Sequence, residues 1–308
     1  MRYPRLVLIA ALLPAFLGAA DPVPKDPAAE AARLEKLAGS LNPRGGDIVL
    51  GDGFARLAAN ENFRYLDPKD AGTVLTDLWR NPRTDTLGLI VPRNFDPLRP
   101  GGWVAVISYA TDGYVKDDDA AKINYDKLLK QMKDEAKELS KQRVAQGYSA
   151  VELVGWAEPP RYDAKEHKLY WAKEMHFVGQ RGDTLNYNIR ALGRRGVLVL
   201  NIVSGMRELP QVESAAPQIL KIVNFQSGSR YADFVPGTDK MATYGIAALV
   251  AGTIAAKAGL FKILLAGIIA LKKILIVAAI AVAGFFKKLL GRRKGRPDVP
   301  PGLIPPSG

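Results

Sequence analysis

The chain contains no cysteine. That excludes disulfides, thiolate metal sites, a cysteine nucleophile and a lipid-modified cysteine after a leader segment. Histidine is nearly as scarce. His167 and His176 are the only two in 308 residues, which leaves little room for a histidine-rich metal centre. No phosphate-binding loop, dinucleotide fingerprint or zinc-protease motif occurs, and Val203-Ser204-Gly205-Met206 lacks the glycine flanks of a nucleophile elbow. No internal repeat is visible. Residues 241–286 have neither an acidic residue nor a proline, although the whole chain holds 21 prolines. What is present is a chain that is 48% hydrophobic and 24% charged, enough to bury a core and to exclude wholesale disorder.

The net charge of +12 is unevenly placed. Residues 1–20 carry Arg2 and Arg5, residues 241–308 carry a net +9, and residues 21–240 carry only +1. Basicity beside an apolar stretch marks a membrane segment with a basic flank, so no nucleic-acid partner is expected.

Both ends read as targeting or membrane elements. In 1–20, two arginines precede the apolar run Leu6–Leu17, and Gly18-Ala19-Ala20 supplies small residues. This pattern predicts a signal peptide cleaved after Ala20; the competing reading is an uncleaved anchor. Residues 21–45 are rich in Ala, Pro and charge and read as a mobile leader with a short helix. Residues 241–288 form a hydrophobic helical membrane region interrupted by Lys257, Lys262, Lys272 and Lys273. As one helix its apolar part would be about 69 Å long, roughly twice a hydrocarbon core. One pass with the remainder at the interface, or a helical hairpin, would accommodate it. Small residues such as Gly245, Ala248, Gly252, Ala256 and Gly259 would also permit oligomerisation through this region. The flank Lys287, Lys288, Arg292, Arg293, Lys294 and Arg296 is expected on the cytoplasmic side, and 289–308 ends in a Pro-rich disordered tail.

The intervening 46–240 predicts an exported α+β domain. Asp67-Pro68 starts a helix, with Ala71, Val74, Leu75, Leu78 and Trp79 at helical spacing. Strands are expected at 48–57, 63–66, 86–91 and 102–109. Asp117, Asp118 and Asp119 then open the longest helix, with the stripe Ala121, Tyr125, Leu128, Met132, Ala136 and Leu139 and a stop at Gly147. Four further strands follow at 150–157, 167–178, 184–192 and 196–204, with a solvated hairpin turn at Arg194-Arg195-Gly196. In the second of them Leu169, Trp171, Met175 and Phe177 share one parity and Tyr170, Glu174 and His176 the other, which predicts one packed and one wetter face. A last helix over 210–223 buries Val212, Ala216, Ile219 and Val223. Groups of adjacent strands separated by helices give a mainly antiparallel sheet sandwiched with helices.

The phrases GWAEPP (155–160) and DGYVKDDDAAKI (112–123) are distinctive, as are FRYLDPKDAGTVLTDLWRNP (63–82), TLNYNIRALGRRGVLVLNIV (184–203) and RYADFVPGTDKMATYGIAALVAG (230–252). With them the chain resembles, over about 45–290, the bacterial membrane-anchored family of domain of unknown function 2167. The resemblance implies an exported domain tethered by a C-terminal membrane region; it implies no activity. The order VLVLNIV to PQILKIVNFQ is also similar to sandwich domains of the PsbP type, a likeness of fold alone.

Four constellations bear on function. Asp112, Asp117, Asp118 and Asp119 carry the oxygens a hard cation needs, but their spacing is not that of an EF-hand, and acids favour a helix N-terminus in any case; no metal site is expected. His176 with Glu174 would pair a base with a carboxylate, against the plainer reading of two surface residues. Trp156, Glu158, Arg161 and Tyr162, with Pro159-Pro160 between them, offer the best candidate recognition loop joining two strands; the competing reading is a stiff connection with Trp156 in the core. Ser204 has no motif around it. The expectation is therefore a protein of the bacterial inner membrane with its main domain in the periplasm. It would be a non-enzymatic binding or scaffolding module contacting membrane lipid and an envelope protein, with no cofactor. The alternatives are a carboxylate-based hydrolase using Glu158 and Glu174, or a membrane-active oligomerising protein.

Overall fold

The computed structural model describes residues 26–252, except 80, 82, 100 and 146–148. The expected signal peptide and its cleavage after Ala20, the membrane region beyond Gly252, the basic flank, the tail and the helix stop at Gly147 lie outside the described residues. No helix among the described residues is long and apolar enough to cross a membrane.

In chain order the elements are α1 (Pro27–Gly39), β1 (Gly46–Leu50), β2 (Ala55–Ala59), β3 (Phe63–Leu66), α2 (Pro68–Gly72), β4 (Gly88–Pro92), β5 (Val104–Ala110), β6 (Tyr114–Lys116), α3 (Tyr125–Ala145), β7 (Val151–Asp163), β8 (Lys168–Phe177), β9 (Thr184–Leu192), β10 (Val197–Gly205), α4 (Leu209–Ile222), β11 (Val223–Phe225), β12 (Met241–Gly245) and α5 (Ile246–Ala251). Seven strands form one sheet in the order β3-β4-β5-β10-β9-β8-β7, every pair antiparallel. β1, β2 and β11 form a small antiparallel sheet, and β6 pairs with β12 in parallel. The fold is α+β with antiparallel sheets and a few helices.

Both faces of the large sheet are covered. On one, Tyr65, Ile107, Leu185, Ile189, Leu198 and Ile202 pack against Leu50 and Leu57 of the small sheet and Val212, Ala216 and Ile219 of α4. On the other, Leu66, Leu89 and Val106 pack under α2, and Leu169, Trp171, Leu192 and Val197 pack under α3, α5 and β6. The division expected for β8 holds at the residues that define it: Leu169, Trp171 and Phe177 are buried and Tyr170, Glu174 and His176 are half-buried, although Ala172 between them is fully buried under the small sheet and α4. Alternation along β10 still shows the division, with Leu198, Leu200 and Ile202 to one side and Val197 to the other.

Several boundaries differ from expectation for local reasons. The strand predicted over 48–57 is a hairpin, since Gly51 and Gly53 adopt φ of 62° and 98° and reverse the chain. The helix after Asp67 is capped as expected, its carboxylate accepting from Lys69 and Asp70 amides, but after α2 it continues as a π-helix over 73–78. The long helix does not begin at Asp117–Asp119. It starts at Tyr125, with the Asn124 side chain accepting from the Lys127 amide, because Asp117 and Asp119 are turned inward to other partners. The leader is also fixed from Leu41 onward: Leu41 packs beside α2, and Arg44 and Tyr65 exchange two backbone hydrogen bonds of 2.8 Å. At its far end the domain does not stop at 240. β12 joins β6, and Ile246, Leu249 and Val250 of α5 are buried with Trp171 and Met132.

Candidate functional site

Trp156, Glu158, Arg161 and Tyr162 do not form a loop. They lie within β7, opposite Lys173, Ala172, Tyr170 and Leu169 of β8. Register slips around Glu158 and across Pro159-Pro160 bend the strand. Two prolines are tolerated because β7 is the sheet's last strand, whose outer amides need no ladder partner. The four side chains also part company. Trp156 and Tyr162 pack on the α3 side. Glu158 takes a hydrogen bond from Tyr187 on the other face, with Oε1 4.0 Å from Arg161 Nε and Oε2 enclosed without a partner. Arg161 is exposed. They make no common rim.

The acidic loop proves to be internal wiring. Asp117 accepts from the hydroxyls of Tyr162 at 2.5 Å and Tyr231 at 3.0 Å, and lies 3.4 Å from His167 Nδ1. Burial works to raise the Asp117 carboxyl, but these three partners outweigh it and hold it below the usual range. Asp112 accepts from Tyr244, and Asp119 from the amides of Ile246 and Ala247. Asp118 alone is exposed. Each inward acid therefore fastens part of the strap 226–251 to the sheet. The turn after β9 fastens it too: Arg194 Nε donates to Asp239 at 2.6 Å, which brings that carboxyl down to about 2. The reading of a solvated turn is corrected for Arg194, which is largely enclosed, while Arg195 is exposed as expected.

The histidines are far apart in role. His167, with φ of 50°, precedes β8 and stacks on Tyr231 at 4.0 Å. His176 Nδ1 lies 2.7 Å from Asp183, not paired with Glu174. Glu174 is itself raised, by burial and then by Asp183. Glu158 and Glu174 stand one row apart on the same face, yet each is engaged by a different partner.

A site that sequence reasoning missed lies on the face turned toward α3 and α5. The register aligns Trp156, Lys173 and Asn186 in one row across β7, β8 and β9, and Trp171, Asn188 and Asn201 in the next across β8, β9 and β10. Arg190 reaches into the second row. Its Nη1 donates to Asn201 Oδ1 at 3.0 Å and to the carbonyls of Ile189 and Leu200, its Nη2 to Asn188 Oδ1 at 3.3 Å, and its guanidinium lies 5.0 Å from the Trp171 ring centre. Asn188 Nδ2 in turn donates to Asn186 Oδ1 at 2.8 Å. Arginine can only donate, so this chain fixes the amide orientations, and every asparagine oxygen of the strip already accepts a hydrogen bond from within it.

Donors are left over. Lys173 has no hydrogen-bond or ion-pair partner among the described residues, and neither it nor Arg190 meets a carboxylate there. The indole N–H groups of Trp156 and Trp171 are enclosed without an acceptor. Burial, then repulsion from Arg190, pushes the Lys173 ammonium down to about 8, and burial pushes Arg190 down to about 9. The floor of Asn186, Asn188 and Asn201 is only 4–6% exposed, whereas Lys173 and Arg190 each keep part of their surface.

The model of a protein family of unknown function, DUF2167, matches residues 42–283. The chain belongs to this family. No curated protein matches it. Among solved structures, the DUF2167 chain is similar to the solution structure of cyanobacterial PsbP (CyanoP) from Synechocystis sp. PCC 6803, with 11% identity over 61% of this chain and 93% of that one, at a TM-score of 0.32. At that score the likeness carries no argument about fold or function.

Two phrases that carried the resemblance come together in space in this DUF2167 chain, since Tyr162, two residues past GWAEPP, donates to Asp117 of DGYVKDDDAAKI. The strip had a signal of its own. In TLNYNIRAL the polar Asn186, Asn188 and Arg190 alternate with Leu185, Tyr187, Ile189 and Ala191, and a polar row in a strand with neighbours on both sides is a buried polar row.

Proposed function

We propose that the chain is an exported binding module held at the bacterial inner membrane by its C-terminal apolar region, with the main domain in the periplasm. It works by holding a partner, not by turning over a substrate. The observation that carries this reading is the interior strip. It concentrates two cations without a carboxylate partner among the described residues and two indole donors without an acceptor on one face of the large sheet, with each asparagine oxygen of the strip already accepting a hydrogen bond. Donors fixed in advance lose little freedom on binding, which favours recognition. The His176 and His167 rings sit against carboxylates and Tyr162, and Ser204 Oγ donates to the Gly205 carbonyl, so these three are not arranged as a nucleophile and its base. The arginines at the start of the chain, the lysine-interrupted apolar region and its basic flank support export and tethering.

Two experiments test it. Topology reporters fused after Gly252 and after Gly295 should report periplasm and cytoplasm respectively; a cytoplasmic signal at the first would overturn the placement. In a deletion strain, Lys173→Met should fail to complement any envelope phenotype while Glu158→Gln and Glu174→Gln complement it. The opposite pattern would replace binding by the carboxylate-hydrolase reading.

A further inference from the structure

The strip's charge balance restricts what it can hold. Lys173 and Arg190 bring two positive charges onto one sheet face, and no carboxylate among the described residues is paired with either. Burying an ion without a partner is costly, so such a pair asks for a counter-charge from outside the chain. Arg190 Nη1 is occupied by three contacts and Nη2 by one, which leaves the Nε–H and the second Nη2–H, a fork, together with all three hydrogens of Lys173 Nζ, without an acceptor among the described residues. A carboxylate supplies two oxygens and one charge. A phosphate monoester supplies three free oxygens and, near neutral pH, about −1.5 to −2 charges. It also matches the arginine fork and the lysine point charge, the two groups that most often bind phosphate. The neutral amide oxygens of Asn186, Asn188 and Asn201 already accept bonds within the strip and bring no counter-charge.

We propose that the Lys173–Arg190 strip is a binding site for a phosphate monoester group, carried either on a lipid headgroup or on a small soluble molecule. This rests on the binding-module reading and names its ligand chemistry. Both cations keep some surface, so the group approaches over them, with the asparagine floor and Trp171 beneath.

The test is thermal unfolding of the full chain in detergent at constant ionic strength. Inorganic phosphate and glycerol phosphate should raise Tm by about 5–10 °C once they exceed Kd by roughly a hundredfold, and acetate and chloride should not. Lys173→Met should abolish the shift. Lys173 makes no hydrogen bond or ion pair among the described residues that the substitution could break, so this variant is expected to fold, whereas Arg190→Met removes several hydrogen bonds and serves as a second variant only. Lys130→Met, an equal charge loss on the exposed side of α3, should leave the shift intact. Flotation with phosphatidylcholine vesicles containing phosphatidic acid, compared with phosphatidylglycerol, separates the sources: dependence on Lys173 for phosphatidic acid alone marks a lipid monoester, and a response confined to the soluble esters marks a free ligand. Equal shifts with acetate, a shift retained in Lys173→Met, or no response to any phosphate species would overturn the proposal. If phosphate fails while Lys173→Met still loses complementation, the ligand class is wrong and the binding reading stands. If both fail, both fall.

Discussion

Arg194 and Asp239 meet at 2.6 Å, joining the turn between β9 and β10 to a loop more than forty residues further along the chain. Asp239 also takes the Val235 amide and a longer contact from Arg195, so one carboxylate fixes the loop's course. Its folded carboxyl lies at about 2, below the ordinary carboxylate value, chiefly through the Arg194 hydrogen bond. The stabilisation is therefore complete above the unfolded value and is lost as pH falls toward about 2. Asp239→Asn should flatten the acid limb of a stability–pH curve measured by urea unfolding; an unchanged limb would show that the bridge adds nothing in solution.

Lys173 carries the opposite sign. Its ammonium titrates at about 8 in the folded chain because it is buried beside Arg190. The folded state releases this proton before the unfolded chain does, so stability should rise with pH from about 8 upward to the ordinary lysine range. Lys173→Met should remove that rise and, at pH 7 without ligand, stabilise the domain by about 1–3 kcal/mol. A stability gain coupled to loss of complementation would mark a residue kept for binding.

Asp117 accepts two tyrosine hydroxyls. Asp117→Ala would take the carboxylate acceptor from Tyr162 and leave Tyr231 only the Val115 carbonyl at 3.0 Å, at a cost of about 1–3 kcal/mol. Tyr231→Phe should cost less, since it takes one hydroxyl from Asp117 and the Val115 carbonyl while Tyr162 still donates to Asp117, and the ring keeps its stacking on His167 and Tyr114. Chemical denaturation of both variants checks the order.

Gly113 adopts φ of 108°, and a Cβ there would come within 2.5 Å of the Lys240 carbonyl oxygen. Gly113→Ala should therefore destabilise the domain by roughly 1–3 kcal/mol, and limited proteolysis should then cut within 226–251 sooner than in the parent chain.

A chain ending at Lys240 should be far less stable than one ending at Gly252. The shorter chain uncovers the cluster around Trp171 and Met132 that α5 closes with Ile246, Leu249 and Val250. Circular dichroism melts of the two truncations would decide it.

The main strands β7 to β10, the capped turn at Asp67 and the helix α4 were legible, because each rests on local alternation, a cap or helical spacing. What the sequence hid was non-local. Pro159-Pro160 reads as a loop until β7 is known to be an edge strand. Met241–Ala251 reads as membrane because a buried helix face and a lipid-facing one share the same residues. The acids of 112–119 look like a helix start or a cation loop, and only the tertiary fold brings Tyr231, Tyr244 and the amides of α5 to them. Lys173 and Arg190 are far apart in the chain, and a strand register is needed before their charges can be counted together.

The parallel pairing of β12 with β6, through Met241 with Tyr114 and Gly245 with Lys116, has a mechanical meaning. A pull on the chain beyond Gly252 would first work against α5, seated among core side chains, and then load the β6–β12 pair along its length. Strands drawn lengthwise past one another must release their bonds together, unlike a hairpin opened from one end. The exit from this fold is thus a cleat and not a hinge, since the chain leaves at Gly252 from a helix seated in the core.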